Sequence, residues 1–266
     1  MNTSASQASS SSIRRSIPRP PQAVTFDCWS TLVSDIDWDA TMHRRRGALV
    51  KIAAKRNVRL DDEKAAELIE ASWQEHMQAW RNGLAYGAPS AARWVLEQLE
   101  VVPSQKMEMD DQLVRELTDA IEGATSEVGT NVVEGAAEAL QAVRDAGIPT
   151  ALICDTGFTP GTHARRFLDG HGLKLDHYFF SDEVGVPKPY APIFEAALKA
   201  TGAEASKAVH IGDLRRTDVA GARNAGMAAV RFIGVHDDKW SEEDSAGDEA
   251  DAVLKSWADL PGLLGL

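Results

Sequence analysis

Three apolar runs in this chain stop on an acid. Val24-Thr25-Phe26 ends at Asp27, "TALIC" ends at Cys154-Asp155-Thr156-Gly157, and "AVHIG" ends at Asp213, with Asp218 five residues on. A fourth stretch, "VGVPKPYAPIF", carries Lys188 between prolines. Each member alone is a weak signal. An aspartate after a strand is more often a helix cap or a turn former, and Asp218 can simply cap the helix that follows it. A lysine between prolines can be an exposed loop residue. Brought together, three carboxylates and one ammonium are a chemical set. A carboxylate can attack phosphorus or an activated carbon, form a covalent intermediate, and split one difficult step into two. An ammonium is a compact point charge that steadies such a carboxylate and an anionic substrate at once.

The surrounding pattern supplies the elements that would bring them together. "AVTFDCW" reads as a short buried strand. From Trp38 to about Gly123, apolar residues recur at three- and four-residue intervals, and four helices are expected there. Asp61-Asp62-Glu63 places acids in the first turn of the second helix, as the helix dipole favours. From about residue 132 the rhythm becomes helix–strand: helices over "EGAAEALQAVRDAG", "TPGTHARRFLDGHG", "APIFEAALKATG" and "RTDVAGARNAG", and strands over "PTALIC", "HYFFSDE", "AVHIGD" and "AAVRFIG". "DAVLKSWADLPGLL" reads as a final helix. Such alternation predicts an α/β fold, a Rossmann-like parallel sheet with helices on both faces. Open parallel sheets bind ligands at the carboxyl ends of their strands, which is where the acids fall. The expected organisation is a core over 21–36 and 127–266, an inserted helical domain over 37–126, and a disordered tail over 1–20. That tail is Ser-rich, carries Arg14, Arg15 and Arg19, and holds no acid; organelle-targeting segments share this composition.

The totals set limits. The chain has 266 residues, 44% hydrophobic and 26% charged, with a net charge of −12. That balance disfavours nucleic acid or an anionic membrane as partner, and leaves room for a small anionic substrate in a locally cationic pocket. Two cysteines, Cys28 and Cys154, make no disulfide framework. No apolar run approaches the roughly 20 residues needed to span a bilayer. The expected location is the cytoplasm. Acidic "HDDKWSEEDSAGDEAD" reads as a solvated loop.

In four segments, in order, the chain resembles the haloacid dehalogenase superfamily of hydrolases: "FDCWSTL", "LICDTG", "VGVPKPYAPIFEAAL" and "HIGDLRRTDVAGARNAGM". The resemblance implies that Asp27 is the nucleophile and that Lys188 neutralises it together with the substrate anion. It implies that Mg²⁺ is held by Asp27, the backbone carbonyl of Trp29 and Asp213, with Asp218 completing or buttressing the shell. It implies that the helices after the first motif form the family's cap. Cys154, Asp155, Thr156 and Gly157, with Trp29, would face the substrate, and the free amides at Thr156-Gly157 could cradle its phosphate.

Two positions depart from the family pattern. Family phosphatases commonly keep a second Asp two residues after the nucleophile as general acid and base; here that residue is Trp29, which has no proton to give. The indole is expected to pack against the cap, with a role in shaping the substrate pocket as the alternative. The family's hydroxyl residue of the second motif falls on Cys154, a weaker donor, and Thr156 is the expected substitute. The first expectation is therefore a Mg²⁺-dependent phosphatase of a small phosphorylated metabolite. The alternative is a metal-independent 2-haloacid dehalogenase. Those enzymes carry an aromatic residue at the Trp29 place and release a halide that needs no proton. Asp213 counts against it, and a halide-abstracting arginine has only Arg44, Arg45 and Arg46 as candidates, a run that reads more simply as a solvated basic face. A non-catalytic binding protein is a third reading. Trp73, Trp80, Tyr86 and Trp94 are expected mostly as helix packing, with one or two facing the site, and His76, His163, His171 and His177 show no ligand-like pattern.

Overall fold

The computed structural model describes residues 15–100, 110–237 and 250–266. Its centre is a six-stranded sheet: β1 (Ala23–Phe26), β4 (Thr150–Cys154), β5 (His177–Phe180), β6 (Ala208–Gly212), β7 (Ala228–Phe232) and β8 (Ala252–Leu254). The spatial order is β5-β4-β1-β6-β7-β8, and every pairing is parallel. Four of these strands are buried along their whole length, which is why they read as unbroken apolar runs: helices cover both faces. Alternate residues serve the two sides. Leu152 and Cys154 pack with α5 (Ala136–Asp145), α6 (Gly161–Gly170) and α10 (Leu260–Leu264). Ala151 and Ile153 pack with α8 (Ala191–Thr201) and α9 (Ala220–Asn224). From β1 the chain fills one side of the sheet with β4 and β5, then returns to the other side at β6. That reversal opens a crevice at the carboxyl ends of β1, β4 and β6.

Between β1 and β4 lie four helices: α1 (Trp38–Lys55), α2 (Asp62–Arg81), α3 (Ala88–Glu100) and α4 (Asp111–Val128). Asp37, Asp61 and Asp110 cap three of them, each side chain accepting from the amide three residues on. The block buries its own apolar cluster, including Leu49, Leu96, Leu113, Leu117 and Ile121. It leaves and rejoins the sheet layer through two three-residue strands, β2 (Val33–Asp35) and β3 (Thr130–Val132), paired antiparallel.

Several expectations need correction. The stretch "HYFFSDE" stops being a strand at Phe180; Ser181–Val184 is a short helix, α7, closed by Gly185 in the left-handed region. The stretch "DAVLKSWADLPGLL" is not one helix. Its first part is the edge strand β8, and Ser256 then caps a turn before α10. Trp257 anchors that turn, stacking on Phe232 and donating its indole N–H to the Thr31 carbonyl. "RTDVAG" opens as a wide π-type turn, Arg215–Val219, rather than as an α-helix. Residues 15–20 of the expected tail are held on the core. Arg15 donates to Asp251 and to the carbonyls of Met227 and Arg223, and Ile17 joins the apolar cluster. Residues 1–14 and 238–249 lie outside the described residues. No helix among the described residues is long and apolar enough to cross a membrane.

Candidate active site

The crevice gathers the expected acids and the lysine. Lys188 is buried, and its Nζ donates to Asp27 Oδ1 at 2.5 Å and to Asp218 Oδ1 at 2.7 Å. Asp27, Asp213 and Asp218 are all buried and offer ligand atoms within 4.8 Å of one another. The three carboxylates differ in how well they are matched. Asp218 accepts from Lys188, from His210 Nε2 at 3.0 Å, from the Leu214 amide at 3.0 Å and from the Thr217 hydroxyl at 3.3 Å. Burial pushes its carboxyl up, but Lys188 and His210 more than offset this and hold it below the usual range. Asp27 has Lys188 and the Thr31 hydroxyl at 3.2 Å, yet burial lifts it to about 6. Asp213 has His236 Nε2 at 3.3 Å from Oδ2, and burial, Asp27 and Asp218 push it well above the ordinary carboxylate range. Burial would lower the Lys188 ammonium, but Asp218, Asp27 and Asp155 hold it well above its ordinary value.

One ammonium therefore faces more negative charge than it can balance, and the deficit falls on Asp27 and Asp213. Hard oxygen donors, few in number, are the set that Mg²⁺ takes while keeping several waters. The residues present fit such an ion.

A profile for haloacid dehalogenase-like hydrolases matches residues 21–226. The chain belongs to that family. It is 35% identical over 104 residues to a glyceraldehyde 3-phosphate phosphatase of Pyrococcus abyssi, covering 38% of this chain and 42% of that protein. The chain thus spans about two fifths of the length of such relatives. Two solved structures share the fold. A HAD phosphatase from Thermococcus onnurineus aligns with a TM-score of 0.61 and 20% identity over 92% of this chain and 98% of its own. A 2-haloacid dehalogenase from Pseudomonas syringae pv. Tomato aligns with a TM-score of 0.63 and 21% identity over the same shares. The fold of this haloacid dehalogenase-like hydrolase is thus common to both chemistries.

The second-motif residues sit differently from their expected places. The Thr156 amide is not free; it donates to Ser181 Oγ at 2.9 Å, and the Thr156 hydroxyl meets Ser181 and accepts from the Asp182 amide. The N-terminus of α6 is occupied too, because the Gly161 amide donates to Asp182. A Cβ on Gly157 would lie 3.1 Å from the Trp73 ring and 3.4 Å from His76 Nε2, so this glycine admits α2. Cys154 is fully buried against Cys28; burial and that neighbour push its thiol well up, which leaves it unreactive. Asp155 accepts the Lys188 amide on Oδ1 at 2.8 Å and the Trp80 indole N–H on Oδ2 at 2.7 Å. Trp29 packs edge-on to Phe167 of α6, with ring centroids 6.2 Å apart, and lies against the apolar cluster of the sheet layer.

The basic run divides. Arg44 pairs with Glu127 and Arg46 with His43 at the surface. Arg45 is not solvated: it is 1% exposed, donates to the Ile121 carbonyl and Thr125, and lies over the Trp38 and Phe158 rings. Thr31, His210 and His236 were not singled out in the sequence. Thr31 sits four residues after Asp27, a spacing that a turn closing on the carboxylate would have suggested. His236 lies at the start of the acidic stretch read as solvent-facing. Among the unassigned histidines, His76 donates Nδ1–H to the Tyr86 carbonyl at 2.7 Å, and burial lowers its pKa.

Proposed function

We propose that this hydrolase is a Mg²⁺-dependent phosphatase of a small phosphorylated metabolite, working through an aspartyl-phosphate on Asp27. The observation that carries the reading is Asp213: a buried carboxylate beside the nucleophile that Lys188 does not reach and that a divalent cation would satisfy. Asp27 and Asp213, with the Trp29 carbonyl, would hold the ion, which supplies charge neutralisation for the phosphoryl oxygens. Asp218 is already engaged by Lys188 and His210; in this reading it orients the lysine and buttresses the shell.

The chain's own groups set the course. Lys188 keeps Asp27 ionised and draws the substrate anion toward it. Thr31 fixes Oδ2, which leaves Oδ1, beside the Lys188 ammonium, as the attacking oxygen. That oxygen attacks phosphorus, the bond to the leaving oxygen breaks, and water then cleaves the acyl phosphate to release phosphate and restore Asp27. No acid stands at Trp29, so the leaving oxygen departs without a proton from that position. Asp155 is not a ready donor, since both its oxygens accept hydrogen bonds. The inserted helices serve as the cap, and the phosphatase named above among the relatives supports the substrate class.

A second reading, 2-haloacid dehalogenase, has the aromatic Trp29 in its favour. It is weakened by Asp213 and by the engagement of Arg44, Arg45 and Arg46 described above. Activity on p-nitrophenyl phosphate and on 2-chloropropionate, each with and without EDTA, separates them. Phosphate release abolished by EDTA supports the phosphatase; EDTA-resistant chloride release overturns it.

A further inference from the structure

Trp80 lies in the last turn of α2, on the helix face that also carries Trp73 and His76. All three meet the loop that follows β4: Trp73 and His76 approach Gly157, and Trp80 reaches Asp155. The Trp80 contact is unlike the other two because it is directional. Its indole N–H donates to Asp155 Oδ2 at 2.7 Å, while Oδ1 of the same carboxylate accepts the main-chain amide of Lys188 at 2.8 Å. The Lys188 ammonium then holds Asp27 and Asp218. On the other side, the Arg216 guanidinium lies 3.8 Å from the centre of the Trp80 ring, a cation–π stack. Arg216 belongs to the turn between Asp213 and Asp218. A single side chain of the inserted block thus touches both the loop whose Asp155 holds the Lys188 main chain and the turn that joins Asp213 to Asp218.

We propose that Trp80 is a positioning residue that couples seating of the cap to placement of Lys188. With α2 docked, the indole completes the hydrogen bonding of Asp155, and Asp155 fixes the lysine's main chain so that its ammonium reaches Asp27. With α2 lifted, Asp155 loses one partner and Lys188 loses the fixed end of its anchor. The cleft is then competent only when closed, and a substrate too bulky to let Trp80 reach Asp155 is bound without being turned over. This inference rests on the phosphatase reading for its kinetic part and is independent of it for its structural part.

The test compares Trp80→Phe, which keeps a ring against Arg216 and removes the N–H, with Asp155→Asn and with the double variant. Trp94→Phe, in α3, is the control for loss of an indole as such. Two readouts are taken with Mg²⁺ present: hydrogen exchange at the Lys188 amide, and kcat and KM on p-nitrophenyl phosphate. A hydrogen bond to a charged group is involved, so Trp80→Phe should speed exchange at Lys188 and lower kcat by about tenfold each, with KM changed less than about threefold. Asp155→Asn should do the same, and the double variant should be no more than about twofold worse than the poorer single one. Unchanged exchange in Trp80→Phe overturns the proposal whatever happens to turnover, and so does faster exchange with unchanged kcat. A rise in KM alone also overturns it, since Trp80 would then simply touch the substrate. If the unmodified enzyme releases no phosphate yet Trp80→Phe speeds exchange at Lys188, the phosphatase reading fails and the link from Trp80 to Lys188 stands.

Discussion

The two walls of the cleft are built on different principles. The sheet wall is charged: Asp27, Lys188, Asp213 and Asp218 are buried, and Asp218 alone accepts four hydrogen bonds. The helical wall is aromatic: Trp38, Trp73 and His76 form a chain of ring contacts that continues onto Phe158 of the loop after β4, and the Arg45 guanidinium lies over the Trp38 and Phe158 rings. Charge buried at fixed distances suits one reaction, in the proposed function the attack on phosphorus. Apolar rings distinguish by shape and tolerate rearrangement. The difference suggests that chemistry belongs to the sheet wall and choice of substrate to the helical one.

That division predicts steeply graded losses. Asp27→Asn should have the largest effect, a fall in turnover of at least about 10³-fold with the fold retained, because the amide is close in shape but cannot form the acyl phosphate. Steady-state kinetics beside a circular dichroism melt checks both halves; a variant keeping several per cent of activity without deamidating removes Asp27 from the nucleophile's role. Asp213→Asn should cost about 10²-fold and be partly restored by raised Mg²⁺, since one hard oxygen charge is lost from the ion's shell. Calorimetry finding unchanged Mg²⁺ affinity would move weight to the dehalogenase chemistry.

Trp29 tests whether the sheet wall is complete. Without a proton donor there, turnover should fall steeply from p-nitrophenyl phosphate to simple alkyl phosphates, because an alkoxide leaves poorly. Trp29→Asp should flatten that series, with a gain of roughly tenfold or more on the alkyl esters. A flat series in the unmodified enzyme would mean that another group already delivers the proton. The smallest effect on turnover should come from the interior of the helical wall. Leu96, fully buried in α3, should cost about 2–5 kcal/mol of stability on change to Ala. Its kcat should stay within about twofold at temperatures where the protein is folded. A drop in kcat as large as that of Asp213→Asn would erase the distinction between the walls.

The sheet wall was far more legible in the sequence than the helical one. Fully buried parallel strands leave unbroken apolar runs, and β1, β4 and β6 are each followed at once by an aspartate, Asp27, Asp155 and Asp213, that marks the carboxyl edge. The edge strand β8 and the ribbon of β2 with β3 span three residues each, too few for any period to declare itself. A basic run carries no sign of which member turns inward, as Arg45 does to meet Thr125. His210 gives no signal in sequence, because its partners, Thr25 and Asp218, are defined only once β1 and β6 lie side by side. Trp80 had the right composition for packing and the right position for contact; only the folded pairing with Asp155 separates the two.

The short ribbon bears on how the chain comes to fold. Val24 must find Thr150, with the whole helical block intervening in sequence, and closing so long a loop costs entropy that rises with its length. Within the block successive helices pack on one another, and α4 returns against α1. Once those helices are in place, Asp35 lies opposite Thr130, and the two ends of the insertion are already neighbours. The search then left to β1 is that of a strand joined to its partner by a short effective tether. Early assembly of the helices would speed sheet formation although they contribute no strand to it, and substitutions inside the block, Leu96→Ala among them, would slow refolding as well as lower stability.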